Sequence, residues 1–286
     1  MTLVTFRSED LEGLWQPGDR DNKFGAGQVV IVGGSSLFHG APILALKSAS
    51  RLVCMVYFAS PEEDKSIVNN IKSGLGSFIW IPSREIDHYI LKSDAVLIGP
   101  GMMRNQNEAD GMACDDKGKI SQEISMSIFN KFPEKKYVID GGSLQVIHAS
   151  DIPKGSIITP NRKEFEMLFK EQIVEDADES IEQLRSKAKE YQLTIVHKAP
   201  TSIVTNGDRV IKIEGGNPGL VKGGMGDVIA GLTVGLLAKN EPMLAAAAAI
   251  YLTKRAADRL LEKVGNMYNA DDLAEETAKV FGEEVK

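Results

Sequence analysis

Gly223-Gly224-Met225-Gly226-Asp227 opens directly into the apolar run 228–237 near the C-terminal end of the chain. Three glycines let the backbone bend where a Cβ would clash, so several amide groups can converge on one point. The apolar run predicts a helix beginning at Asp227, which adds the positive end of its dipole at the same point. The combination is a cradle for a phosphate or a developing oxyanion. A carboxylate at Asp227 stands at its rim, placed to take a proton from a hydroxyl beside the bound phosphate. Glycines ahead of a helix also make ordinary tight turns, and aspartate is a common N-cap. By itself, then, the stretch also admits a purely structural use.

The surroundings of this stretch are short apolar runs rich in β-branched residues, alternating with longer helical patterns. Residues 29–32 end in Gly33-Gly34, 52–58 in Ala59-Ser60-Pro61, and 95–98 in Gly99-Pro100-Gly101. Residues 137–139 end in Asp140-Gly141-Gly142, Ile157-Ile158 in Thr159-Pro160-Asn161, and 193–196 in His197-Lys198. Continuous apolar runs predict strands buried on both faces, and helical stretches such as 41–50 and 181–191 fit the crossovers between them. The pattern is α/β with a mostly parallel sheet. Residues 201–205 and 209–213 flank Asn206-Gly207-Asp208, which predicts a β-hairpin and an antiparallel end to the sheet. Helices over 227–239 and 243 to about 264 follow, the second carrying the alanine run 245–249, suited to close packing. No linker, repeat or low-complexity tract interrupts the chain, so residues 1–286 are expected to form a single domain. Residues 105–119, rich in Asp, Asn and Gly, read as an irregular surface loop.

Composition narrows the function classes. A net charge of −7 argues against a nucleic-acid footprint, so any phosphate is bound by local backbone geometry and a few cations. The two cysteines, Cys54 and Cys114, stand in no metal or redox spacing and predict a reducing compartment, the cytoplasm. The N-terminal segment is not a signal peptide, and the apolar stretch 243–252 is too short to span a bilayer, so no membrane partner is expected. The four histidines form no close pair, which disfavours a metal site built on histidine.

In open parallel sheets ligands bind at the carboxyl ends of strands, and here nearly every strand ends in small or polar residues. Such turns favour Gly, Pro, Asn and Asp for local reasons too. Gly33-Gly34-Ser35 with Gly40-Ala41 resembles a phosphate-binding turn but matches neither G-x-G-x-x-G nor the Walker A lysine pattern. Asp140 and Glu164 are placed to reach a metal-bound phosphate or a water. Their structural alternatives are an N-cap and a first-turn acid favoured by the helix dipole. Lys198 either meets a nucleotide phosphate or is a solvated charge, and Asn217 either binds phosphate or shapes the Pro218-Gly219 turn.

From about Arg20 to Ala238 the order of these elements resembles the ribokinase-like superfamily and, within it, the ATP- or ADP-dependent NAD(P)H-hydrate dehydratases. The resemblance rests on Asn22-Lys23-Phe24-Gly25, Gly33-Gly34-Ser35, Gly40-Ala41, Gly99-Pro100-Gly101, Thr159-Pro160-Asn161, Glu164-Phe165 and Lys198. It continues through Asn217-Pro218-Gly219 and the glycine-rich stretch. It implies a three-layer α/β/α fold with a mostly parallel central sheet and an antiparallel hairpin at its edge. It also implies that Ala41, Gly101 and residues 161–167, Asn161 and Glu164 among them, line a pocket for hydrated NADH or NADPH. Lys198, Ala199, Pro200, Thr201, Ser202, Asn217, Gly223, Gly224, Met225 and Gly226 would hold the phosphate donor, ATP or ADP. Mg²⁺ would bridge donor oxygens through ligands the sequence leaves open. Asp227 would be the catalytic group facing the substrate hydroxyl. In such enzymes that hydroxyl is phosphorylated and then expelled as phosphate, a far better leaving group than hydroxide; a homo-oligomer, a tetramer in many relatives, is also implied. The chain departs from the family pattern at Met103, where many relatives have glycine, and at Gly142, where many have a second aspartate. Histidine is frequent where Asn161 stands. A small-molecule kinase of the same superfamily, acting on a sugar, hydroxymethylpyrimidine or hydroxyethylthiazole, would share the anion cradle and base. A non-catalytic nucleotide-binding regulator is the reading from another class.

Overall fold

The computed structural model describes residues 2–18, 25–35, 37–60, 74–104 and 116–285. In chain order the strands are β1 (Thr2–Thr5), β2 (Gln28–Val32), β3 (Met55–Ala59), β4 (Ile79–Trp80), β5 (Ala95–Ile98) and β6 (Lys136–Ile139). They continue with β7 (Ile157–Ile158), β8 (Thr194–His197), β9 (Ser202–Thr205) and β10 (Arg209–Ile213). They form one sheet in the order β1-β10-β9-β8-β7-β6-β5-β2-β3-β4. Among them β9 runs antiparallel to both of its neighbours, and every other pairing is parallel.

The apolar runs form central strands because they are wanted on both faces. Val29, Ile31, Leu97 and Val138 point into one core, and Val30, Val32, Val96, Ile98 and Ile139 into the other. Helices α1 (Gly40–Ala49), α6 (Met225–Leu237), α7 (Pro242–Val264) and α8 (Ala270–Glu284) supply the first core. Helices α2 (Ile86–Lys92), α3 (Asp116–Lys131), α4 (Arg162–Phe169) and α5 (Ala177–Tyr191) supply the second. The result is a three-layer α/β/α sandwich.

Several boundaries differ from the sequence-based expectation. The β9–β10 hairpin turns at Asn206-Gly207-Asp208 as expected, but it lies one strand in from the edge, because β1 adds a parallel strand outside β10. The strand expected over 52–58 is shifted to Met55–Ala59, the Cys54 amide being turned back onto the carbonyl of Gly27 at 3.0 Å. The two-residue β4 and the amphipathic α8 carry no signal as clear as the buried runs. Of the expected loop 105–119, residues 105–115 lie outside the described residues, as do Asn22, Lys23, Phe24, Pro61 and Cys114, and 116–119 open α3. Among the described residues no helix is long and apolar enough to cross a membrane.

The chain leaves β2 in one direction, to β3 and β4, and returns to β5 on its other side before continuing to β6, β7 and β8. Two crossovers therefore diverge at the carboxyl ends of β2 and β5, the place where an open parallel sheet leaves a crevice for ligands.

Candidate active site

At that divergence the turns after β2, β5 and β6 interlock. The Gly34 amide donates to the Pro100 carbonyl at 2.8 Å, and the Gly99 amide to Val32 at 3.0 Å. Gly99 and Gly101 have φ of +119° and +70°, and a Cβ at either would collide with backbone, at 1.8 Å from the Asp140 carbonyl and 2.5 Å from that of Phe38. Only glycine combines that conformation with that approach. Gly101 is thereby pressed against the segment entering α1, with the Pro42 side chain 2.9 Å from where its Cβ would stand. Gly142 sits on the backbone of Met102, whose carbonyl would be 2.2 Å from a Cβ, so the position where many relatives carry aspartate has no room for a side chain here.

Farther along the strand ends, Asp140, Glu164, Lys198 and Asp227 gather from β6, α4, β8 and α6. Asp140, 4% exposed, accepts from the Thr159 hydroxyl and lies 3.4 Å from the Lys198 ammonium, both at Oδ1. Glu164, 5% exposed, is bound at both oxygens: Oε2 accepts from the Asn161 amide at 2.8 Å and Oε1 from Gln145 Nε2 at 3.3 Å. The Asn161 side chain accepts in turn from the Glu164 amide at 2.9 Å. The pair is a reciprocal capping box that starts α4. The structural use anticipated for Glu164 is therefore present, and it also fixes a carboxylate next to the cluster. Asn161 is in the same position: its side chain is committed to the cap.

Helix α6 starts two residues earlier than expected, at Met225, with Gly224 as N-cap at φ +90°. Asp227 is thus a first-turn residue and not the cap. A Cβ at Gly224 would strike Leu44 and Ala270 at 2.6 and 2.8 Å, so α1 and α8 hold the loop from behind. Among the described residues the amides of Gly223, Gly224 and Gly226 meet no backbone acceptor. A Cβ at Gly226 would stand 3.3 Å from Lys198 Nζ, which sets the ammonium beside the amide cradle. The Met225 side chain is 2% exposed and belongs to the core, so this residue offers a ligand its backbone.

Electrostatics follow from crowding three carboxylates around one cation. Burial first, then Asp140, pushes the Asp227 carboxyl up to about 7, with Lys198 opposing. Burial and Asp140 likewise raise Glu164. Burial works against the charge of Lys198, but Asp140, Glu164 and Asp227 outweigh it and raise its pKa. Among the described residues Asp227 has no ion-pair partner within 4 Å, so its half-buried carboxylate is charged with difficulty and lacks a salt bridge.

The remaining sequence-derived residues divide. Ser202 closes the β8–β9 loop onto Ala199, its hydroxyl 3.0 Å from the carbonyl, while Thr201 is exposed. The carbonyls of Ala199 and Pro200 turn inward to Lys254. Asn217 shapes its turn: Oδ1 accepts from the Gly219 amide and the Tyr268 hydroxyl, and Nδ2 donates to Asp258 at 3.3 Å. Sequence reasoning missed Gln145, Lys222 and Lys254, and named Thr159 only as part of the Thr159-Pro160-Asn161 motif. Lys222 starts the glycine loop and is tethered to the carbonyls of Asn266 and Tyr268. A usable signal existed for Lys254 and Asp258, charges one turn apart on the side of the helix that continues the alanine run. For Gln145 no local signal existed. A cavity of about 390 Å³ opens between α2 and α3 beside Ala59 and Ser60, lined by none of the four charged groups.

The sequence model of the NAD(P)H-hydrate dehydratase family matches residues 29–279 of the chain. The chain belongs to this family. It is 30% identical over 263 residues to the ADP-dependent (S)-NAD(P)H-hydrate dehydratase of Cenarchaeum symbiosum, covering 90% of this chain and 89% of that protein. It is 30% identical over 285 residues to the bifunctional NAD(P)H-hydrate repair enzyme of Hyperthermus butylicus, covering 93% of this chain and 50% of that protein. The chain spans about half the length of the bifunctional relatives it matches. Among solved structures, a ribokinase-like superfamily protein of Enterococcus faecalis superposes with a TM-score of 0.83 at 19% identity, over 99% of this chain and 96% of that one. The ADP/ATP-dependent NAD(P)H-hydrate dehydratase of Bacillus subtilis, co-crystallised with ATP/Mg²⁺, gives 0.81 at 19% identity over 99% of each chain. These likenesses establish the ribokinase-like fold.

Proposed function

We propose that this chain dehydrates hydrated NADH and NADPH at the expense of ADP or ATP, with Asp227 as the catalytic base. Membership of the dehydratase family supports the reaction. The observation that carries the site is the convergence of Asp140, Glu164, Lys198 and a half-buried Asp227 without a salt bridge beside the open amides of the glycine loop.

The chemistry follows from that arrangement. The crevice at Ala41 and Gly101 takes the hydrated nicotinamide, and the loops 198–202 and 223–226 take the donor. Asp227 withdraws the proton of the substrate hydroxyl, whose oxygen attacks the terminal phosphorus of the donor as the bond to the nucleotide breaks. A pKa near 7 suits that task better than an ordinary aspartate, because the base is stronger while still available near neutral pH. Glycine-loop amides, the start of α6 and Lys198 hold the charge of the transferring phosphoryl. The phosphate then leaves with its bonding electrons and a ring proton is lost, restoring the dihydropyridine.

Among the described residues no three ligands are grouped to hold a metal by themselves. A magnesium ion bound together with the donor would be held by one or two carboxylates, for which Asp140 and Glu164 are the candidates. When bound, the ion supplies charge neutralisation on the phosphates.

The test is direct. Purified chain with hydrated NADH or NADPH should regain the near-ultraviolet absorbance of the dihydronicotinamide when ADP or ATP is added, and release one phosphate per ring restored. No recovery with either donor, combined with a stable phosphorylated alcohol as product, would show a kinase instead.

A further inference from the structure

Lys254 is a lysine in the wrong place for a surface charge. It lies in the middle of α7, among the alanines and leucines of the core, and is 4% exposed. Buried lysines ordinarily sit against a carboxylate. Here, among the described residues, none lies within ion-pair distance. The ammonium instead donates to four backbone carbonyls: Ala199 at 3.2 Å, Pro200 at 2.5 Å, Ile213 at 3.2 Å and Gly215 at 3.0 Å.

An ammonium has three N–H groups, so four acceptors are more than directional hydrogen bonding needs. A charge held by a ring of carbonyl dipoles is how proteins replace the hydration shell of potassium. The cage is built from two loops. Ala199 and Pro200 follow β8, and Ile213 and Gly215 end β10 and follow it. Gly215 and Gly216 both have positive φ, +85° and +79°, which turns the chain onto α7. A Cβ at Gly216 would come within 3.0 Å of the Lys254 stem. One turn further along α7, Asp258 accepts from the Gly216 amide at 3.0 Å and from Asn217 Nδ2. Lys254 and Asp258 therefore clamp the chain on both sides of the approach to the glycine loop.

We infer that Lys254 is a tethered cation occupying a carbonyl cage of the kind a monovalent metal ion fills, and that it positions the donor-binding loop 198–202 together with the segment 213–217 that leads toward the glycine loop. The inference rests on the proposed reading of loops 198–202 and 223–226 as donor-binding. Lys254 touches no reacting atom and is a positioning residue. Burial draws its pKa down to about 8, which leaves the ammonium mainly charged at neutral pH, as the four acceptors require. The chain with Lys254 intact needs no monovalent cation at this point.

The test compares the full chain with Lys254→Ala and Lys254→Met in chlorides of tetramethylammonium, lithium, sodium, potassium and ammonium at equal ionic strength. Melting temperature and the KM for each substrate are measured. The unsubstituted chain should be indifferent to the cation. In tetramethylammonium, Lys254→Ala should melt lower. Its KM for ADP or ATP should rise about tenfold, the loss expected when buried carbonyls go unmet, while that for the hydrated dinucleotide moves little. Potassium or ammonium should restore both the melting temperature and the donor KM of Lys254→Ala. Lys254→Met, whose side chain fills the space, should gain nothing. A donor KM within about twofold of the unsubstituted chain, no cation-specific gain, or failure of Lys254→Ala to fold in every salt would each overturn the inference. If the unsubstituted chain shows no dehydratase turnover, the proposed function fails, yet the cation-specific melting gain still decides the cage.

Discussion

In the proposed reaction Asp227 is the residue on which the chemistry turns, and its environment dictates two outcomes. Removing the base in Asp227→Asn should lower kcat by about two to four orders of magnitude, the usual contribution of a positioned base, while nucleotide affinity measured by titration calorimetry changes little. A carboxyl at about 7 must also be ionised to act, so kcat/KM should rise with pH through that value. Stability moves the other way. The folded-state pKa lies above the ordinary 3.8, so the native protein holds this proton more tightly than the unfolded chain does. The stability it contributes is fully present below the ordinary value and is lost as pH rises through about 7. Asp227→Asn removes that loss, so its melting temperature should gain on the unsubstituted chain between about pH 5 and about pH 8. Equal pH profiles for the two would show that Asp227 titrates like an exposed carboxylate.

Among elements, α6 carries the glycine loop, and α1 fixes where α6 can sit. Gly231 faces Ala45 so closely that a Cβ would stand 2.3 Å from its carbonyl. Alanine is the better helix former by about 1 kcal/mol. The clash dominates, and Gly231→Ala should destabilise the protein by about 1–3 kcal/mol in urea denaturation, with a raised donor KM as α6 shifts. At α4 the reciprocal cap sets the start of the helix and the position of Glu164 together. Asn161→Ala should cost about 1 kcal/mol of stability. It leaves the Glu164 backbone amide without its cap and loosens the first turn that places the Glu164 carboxylate, so the KM for the hydrated dinucleotide should rise more than that for the nucleotide. An unchanged ratio of the two would confine Asn161 to its structural role.

For the whole molecule, ten strands in one sheet with both faces covered leave no seam at which half of the core could melt alone. We propose that the chain is one cooperative unit: calorimetry should show a single transition, raised in temperature by ADP or ATP, and two separated transitions would overturn this. The homo-oligomer implied by resemblance is settled by sedimentation. Much of this architecture was legible locally. Residues 29–32, 95–98 and 137–139 are apolar throughout because both sides of their strands are buried, and Asn206-Gly207-Asp208 reverses the chain because its residues tolerate the turn. Gly223–Asp227 announced a bend and a helix start for the same reason, since both are written in neighbouring residues. What lay beyond local reading was contact between distant parts. Lys198 meets Asp140 across 58 positions, and Lys254 meets carbonyls 39 to 55 positions away. Side-chain types and their period determine conformation over a few residues. Strand order decides which turns share one end of the sheet, and a backbone carbonyl looks the same in every sequence until the fold aims it.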